Sequence, residues 1–310
     1  MSDGVSPASG ILIVAKPSGP TSHDVVALVR RLSGARRVGH GGTLDPFASG
    51  VLPVFIGAAT RMVEYHLADA KAYRAVVCLG ARSTTDDLQG ELTPGEGDAP
   101  DVDAFRGALG SFRGRIAQRP PDYSAVKIAG RRAYELARRG EQPEIRDRTV
   151  EVHAIDLTDW DAADPTRPMA TIEVHCSAGT YIRAIARDLG DRLGCGAYLG
   201  ALVRTASGPF RLEDAAPFDA VRELAAAGNL GAHLLRPDHG LDDIPALTLD
   251  AASLTAVGRG QVVRPRGPQA VPAGPDGLVR IVDAAGALVA MGRLRDGRLH
   301  PDKVLSVAWE

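Results

Sequence analysis

The chain has 310 residues, 45% of them hydrophobic and 24% charged, with a formal net charge of −2. That balance excludes a disordered or fibrous protein and leaves room for roughly two domains, one large and one small. No apolar run reaches membrane-spanning length, the polar start lacks the apolar centre of a secretory signal, and Cys78, Cys176 and Cys195 are too irregularly spaced for a disulfide framework or zinc cluster, which points to a reducing cytoplasm.

Residues 11–16, followed by Pro17, read as a buried strand, after which Gly19-Pro20 turns the chain. Thr21 or Ser22 is placed to cap a helix with Val25, Leu28, Val29 and Leu32 on one stripe and Gly34 as its stop. Arg30, Arg31, Arg36 and Arg37 cluster at its end, where they complement the helix C-terminus and lie just upstream of His40 and Asp45. Residues 38–53 then set Asp45 in a glycine-rich loop between apolar runs. Gly39, Gly41 and Gly42 allow close backbone approaches, and Pro46 fixes φ after the aspartate. Such a loop presents a carboxylate either as a nucleophile or as a turn residue that accepts from nearby amides.

Strict alternation over 71–79 predicts a strand carrying Tyr73, and 93–99 reads as a polar loop before a short helix over 103–109. Charge is unevenly spread: Asp86 to Asp103 holds seven acidic residues and no basic one, whereas Arg113 to Arg148 holds ten basic against five acidic. Such a distribution builds either a phosphate-binding face or a solvated helix of mixed charge. Within it, Ala133, Leu136 and Ala137 suggest a short helix stopped by Gly140. A strand over 172–176 runs into a helix that Thr180 is placed to cap, with Ile182, Ile185, Ala186, Leu189 and Leu193 on one stripe. Arg183 in its first turn opposes the helix dipole, so a nearby anion explains it better than helix stability does. Past Pro237, strand-like stretches around 278–282, 288–294 and 304–309, separated by turn signals at 283–286 and Asp296-Gly297, suggest a small β-rich appendage.

Residues 39–53 closely resemble the catalytic motif of the bacterial tRNA pseudouridine synthase B (TruB) family. Residues 16–22, 71–74, 83–90, 123–127, 179–183 and 193–196 resemble that family's other motifs, in the family's order. The resemblance covers about Ile11 to Phe210, and the remainder is similar to a PUA-type tail. It implies an α+β fold with a mixed, largely antiparallel sheet and flanking helices. The implied divisions are a flexible 1–10, a catalytic domain over 11–237 and a PUA-like RNA-binding domain over 238–310. Small departures occur at Gly42-Thr43 and at Tyr198, where many relatives carry histidine.

The activity implied is isomerisation of the uridine in the T-arm loop of tRNA to pseudouridine, without metal or cofactor, by a cytoplasmic monomer. By the same position-by-position match, Asp45 is the nucleophile, Tyr73 stacks on the target base and is placed to transfer a proton, and Arg183 pairs with Asp45. His40 supports the RNA loop once the base has left its stack, and Tyr181 and Leu202 line the uridine pocket. Lys127, Arg131 and Arg132, with Arg30, Arg31, Arg36 and Arg37, are the candidate phosphate contacts. Breaking a base–sugar bond and rejoining it through carbon needs an ionised carboxylate, so Arg183 is expected to lower the Asp45 pKa; whether the attack falls on sugar or ring stays open. A carboxylate hydrolase or phosphatase lacks a second aspartate two residues from Asp45, and a non-catalytic RNA-binding protein remains the competing class. Asp86 and Asp87 read as turn and capping groups.

Overall fold

The computed structural model describes residues 9–124, 127–128, 131–133, 139, 145–265 and 274–305. The apolar run after Ser9 forms β1 (Gly10–Lys16), and Pro17 ends it by removing a ladder donor. Helix α1 (Ser22–Ser33) follows, its start fixed by a capping box in which Thr21 and Asp24 satisfy each other's backbone amides and its stop by Gly34 in the left-handed region. Short β2 (Val38–His40) pairs antiparallel with β3 (Ser49–Ile56), so the glycine-rich stretch between them is a hairpin loop, and β4 (Lys71–Leu79) follows.

The second half of the sheet comes from β5 (Gly114–Gln118), β6 (Arg148–Asp161), β7 (Met169–Cys176) and β8 (Ala197–Ser207). Helix α2 (Val102–Leu109) precedes β5, and α3 (Ile182–Leu193) links β7 to β8. The strand order is β1-β3-β8-β4-β7-β6-β5, with Ala216–Pro217 outside β1. Pairing is antiparallel except where Ala216–Pro217 meets β1 and where β8 meets β3. The fold is thus mixed α+β with a largely antiparallel sheet. One apolar core lies between the sheet and helices α2 and α3, and a second lies under α1 and the short helix α4 (Ala220–Ala226).

A separate four-stranded sheet is built from β9 (Ala246–Thr248), β10 (Leu278–Val282), β11 (Leu288–Arg295) and β12 (Arg298–Val304), with α5 (Ala251–Gly258) over it. Met291 and Leu305 of this part share an apolar cluster with Ile11, Val51, Phe55 and Met62 of the main body. The last strand starts at Arg298 rather than near 304, because Asp296 and Gly297 both take positive φ and close a two-residue hairpin that pairs Arg295 with Arg298. Residues 306–309, like Leu136, Ala137 and Gly140 of the expected short helix, lie outside the described residues.

Helix α3 starts one residue later than expected. Tyr181 is its N-cap, and Thr180 instead donates its hydroxyl to the Ser177 carbonyl. The start is fixed from the neighbouring strand: Gln118, almost fully buried, accepts from the Tyr181 amide at 2.8 Å and donates to the Tyr181 carbonyl at 3.0 Å.

Gly50 couples β3 to β8 at the foot of the Asp45 loop. Its φ is +111°, and a Cβ there would stand 2.2 Å from the Arg204 carbonyl oxygen and 2.6 Å from the Arg204 nitrogen. Gly50→Ala will therefore cost on the order of 3 kcal/mol of unfolding free energy, readable by urea denaturation, because strain and backbone overlap add. A loss below about 1 kcal/mol would show that the two strands have slack.

Candidate active site

Asp45 stands in the β2–β3 loop, and three side chains hold that loop from outside. Ser22, at the start of α1, donates its hydroxyl to the Leu44 carbonyl at 3.1 Å and accepts the Leu44 amide at 2.8 Å. Lys16 donates to the carbonyls of Pro17 and Pro20 at 2.8 Å and of Pro46 at 3.3 Å, while the Gly19 amide also reaches the Pro46 carbonyl at 2.8 Å. Arg204, only 1% exposed, donates to the carbonyls of Val51 at 2.8 Å, Gly42 at 3.1 Å and Thr43 at 3.3 Å. The stretch from Lys16 to Ser22 is thus a cradle for the loop that carries the carboxylate. Burying three charged or polar groups whose donors are spent on these carbonyls makes the loop costly to deform.

Arg183 approaches Asp45 Oδ2 to 2.9 Å through its Nε and Asp87 Oδ2 to 3.4 Å through a terminal nitrogen. Its other donations go to the carbonyls of Thr85 and Tyr123, both at 3.0 Å. The Nε hydrogen is not aligned on any acceptor, so the contact with Asp45 is a close ion pair rather than a directed hydrogen bond. Asp87, itself buried, is fixed by the Thr85 hydroxyl at 2.6 Å and the Gln89 amide at 3.0 Å. Asp86 points elsewhere, 2.9 Å from Arg187. The reading of Asp87 as a turn group alone is thus incomplete: it is the second carboxylate on Arg183.

Asp45 and Arg183 open into a cavity of about 270 Å³ lined by Gly41 to Asp45, Lys71, Tyr73, Tyr181, Arg183, Leu202 and Arg204 among others, whereas Asp87 lies behind it. Tyr73 and Arg204 are direct cross-strand partners on β4 and β8 and share the face that meets the loop. Burial raises the Tyr73 pKa, against the pull of the Arg204 cation, so the resting side chain is a phenol. Burial is also the largest influence on Asp45 and raises its pKa. Asp87 pushes the same way, while Arg183 and Lys16 pull it back. This corrects the expectation of a lowered Asp45 pKa: Arg183 pulls it down, but burial outweighs that pull. About a third of the Asp45 side chain, 35%, faces the cleft, and water there tempers the upward shift.

His40 ends β2 half-buried and does not line the cavity. Its Nδ1 accepts the Gly42 amide at 3.3 Å, and burial, with Arg204 and His23, lowers its pKa, so it is a neutral ring that shapes the loop. Lys127 and Arg132 belong to a small hairpin, Lys127–Ile128 against Arg131–Arg132, and their side chains lie outside what is described. Arg131 is exposed, as are Arg31, Arg36 and Arg37 around the end of α1, and none of these lines the cavity. Arg204, Asp87 and Gln118 are the residues that sequence reasoning missed. The signal for Arg204 was a cation in an apolar, alternating stretch, obscured by a bulge between Leu199 and Ala201 that shifts which residues face inward.

Residues 30–182 match the pattern of the TruB family pseudouridylate synthase N-terminal domain. Residues 183–237 match the tRNA pseudouridylate synthase B C-terminal domain, and 245–305 match the pseudouridine synthase II TruB C-terminal domain. The chain is 41% identical over 304 residues to tRNA pseudouridine synthase B of Nitrobacter winogradskyi, spanning 96% of this chain and 83% of that one. It is 42% identical over 297 residues to tRNA pseudouridine synthase B of Acaryochloris marina, spanning 96% and 98%. Among solved structures, a Cbf5–Nop10–Gar1 complex is similar at a TM-score of 0.69 and 28% identity, over 96% of this chain and 85% of that one. An H/ACA RNP bound to a substrate RNA containing 2′-deoxyuridine is similar at 0.67 and 26%, with the same coverage.

The opposed influences on Asp45 can be separated by titration. Asp87→Asn keeps an oxygen for the Thr85 hydroxyl and Gln89 amide but removes the charge that raises the Asp45 pKa. The Asp45 carboxyl, followed by carbon-13 NMR, will therefore titrate at lower pH in the variant. An unchanged or higher midpoint would mean that Asp87 is not electrostatically coupled to it.

Proposed function

This chain belongs to the TruB family of pseudouridylate synthases, and on that premise we propose that it converts the uridine of the T-arm loop of tRNA to pseudouridine, with Asp45 as the nucleophile on an everted base. The observation that carries this reading is the Asp45–Arg183 pair, 2.9 Å apart, at the wall of a 270 Å³ cavity whose other sides include Tyr73, Tyr181 and Leu202. Such a space takes one nucleoside and no duplex, so a base held in folded RNA must leave its stack to reach the carboxylate.

The isomerisation breaks the bond between the ribose C1′ and the base N1, turns the base and joins C1′ to C5; the C5 proton leaves and N1 ends protonated, with no net redox change. Asp45, once ionised, serves by covalent attack or by stabilising positive character at the sugar carbon. Arg183 orients that carboxylate and opposes the effect of burial on it. Tyr73 supplies a face for the detached base, where stacking is worth about 1–3 kcal/mol, and its phenol is placed to pass a proton. Tyr181 and Leu202 enclose the base, and neutral His40 supports the loop from which it came. Arg30, Arg31, Arg36 and Arg37 beside α1, and Lys127, Arg131 and Arg132 on the hairpin, meet the phosphates.

On the same reading, residues 11–237 form the catalytic domain and 238–310 an RNA-binding one. Among the described residues no helix is long and apolar enough to cross a membrane, and we place the working protein in the cytoplasm as a monomer.

Incubation of an unmodified tRNA transcript with the protein will give pseudouridine at the T-arm position, and Asp45→Asn will give none while still binding RNA. A transcript refolded by both proteins but modified by neither would favour the non-catalytic alternative. Arg183→Lys keeps the charge but loses the fork that reaches Asp45, Thr85 and Tyr123 together, and will lower kcat about 100-fold. Because burial raises the Asp45 pKa, activity will climb with pH through a midpoint above the ordinary aspartate value of about 3.9. RNA affinity will fall linearly on logarithmic axes with salt, and a flat line would remove the phosphate contacts from this account.

A further inference from the structure

Leu67 is a large apolar side chain that the fold holds out at the cavity. It is 52% exposed and lines the cavity with Asp45, Lys71 and Tyr73; the other exposed large apolar residues described, Leu88, Leu92, Met169 and Val262, do not. A leucine on a loose loop would need no explanation. This one projects from a turn locked on both sides.

On one side of it, His66 is almost fully buried, with its ring 5.6 Å from that of Phe55 and 5.1 Å from that of Phe210. On the other, Asp69 Oδ2 lies 3.0 Å from His66 Nδ1. Lys71 ties the turn shut, donating to the Asp69 carbonyl at 2.9 Å and the His66 carbonyl at 3.5 Å. His66 and Asp69 therefore clasp each other across Leu67 and fix the turn that carries it. The cavity beside it is lined by the cations Lys71, Arg183 and Arg204, which need water kept out if their fields are to act on the carboxylate.

We propose that Leu67 is the apolar lip of this cavity, packing against the nucleotide next to the everted uridine and closing the mouth behind the base. Resting on the reading of the cavity as a receptacle for an everted uridine, it adds a specificity contact for unstacked, single-stranded RNA, whose exposed base faces offer an apolar partner that a closed duplex does not.

The test uses the full chain carrying Asp45→Asn, which binds without turnover, and a T-arm stem-loop with 2-aminopurine beside the target uridine. Adding Leu67→Ser will weaken binding about tenfold, the loss expected when a half-exposed leucine no longer has its surface covered, and will diminish the 2-aminopurine signal change. Leu67→Met, which keeps an apolar contact, will restore both. Thermal melting will be unchanged in each, because the side chain has few partners in the free protein. Leu67→Ser binding within twofold of the parent overturns the inference while product formation by the wild-type protein leaves the reading of the cavity standing. A wild-type protein that makes no pseudouridine in the unsubstituted stem-loop overturns both.

Discussion

A single guanidinium between two carboxylates governs the arrangement. Arg183 is almost wholly enclosed, and a cation taken out of water is tolerable only where anions and carbonyls replace its hydration. Asp45, Asp87, Thr85 and Tyr123 together do so, drawing the β2–β3 loop, the 83–90 turn and the segment after β5 onto the first turn of α3. Removing any one partner leaves a buried charge short of a neighbour. The same arrangement keeps Asp45 chemically poised: burial drives it toward the neutral acid and the guanidinium toward the anion.

Around that pair the fold spends two further buried cations on backbone geometry. Lys16 and Arg204 bind carbonyls on opposite sides of the Asp45 loop, and burial draws the Lys16 pKa down to about 8. Neither needs to touch a reacting atom to matter, because a shift of the loop by a fraction of a bond length would misalign the carboxylate. Gly50 lets β8 come close enough for Arg204 to reach across, which ties a glycine in one strand to an arginine in another.

Much of this was legible in the sequence, and the limits have physical causes. The cap offered at Thr21 or Ser22, the alternation over 71–79 and the oddly placed Arg183 are local signals, written within a few residues of the elements they produce. Arg204 was not read because an unbroken alternation from Ala197 and Leu199 would turn it outward, and only the bulge at Leu199 to Ala201 brings it inward. The 14-residue β6 escaped because register shifts at Val152 to Ala154 and Leu157 to Asp159 break the period that keeps Val152, Ile155, Leu157 and Trp160 on the core face. The direction of the Asp45 pKa shift was misjudged because pairing with an arginine is visible from a motif, whereas desolvation depends on how the whole sheet closes over the loop.

The shared apolar cluster between β3 and the C-terminal sheet has a mechanical consequence. Val51 and Phe55 lie on the very strand that leads away from Asp45, and Phe55 packs in the same cluster as Met291 and Leu305. Carboxylate and C-terminal sheet are thereby mounted on one beam, like the fixed jaws of a gauge, rather than on parts joined by a tether. A load on the C-terminal sheet is therefore passed into β3 and on to the foot of the Asp45 loop, where close packing transmits it instead of absorbing it.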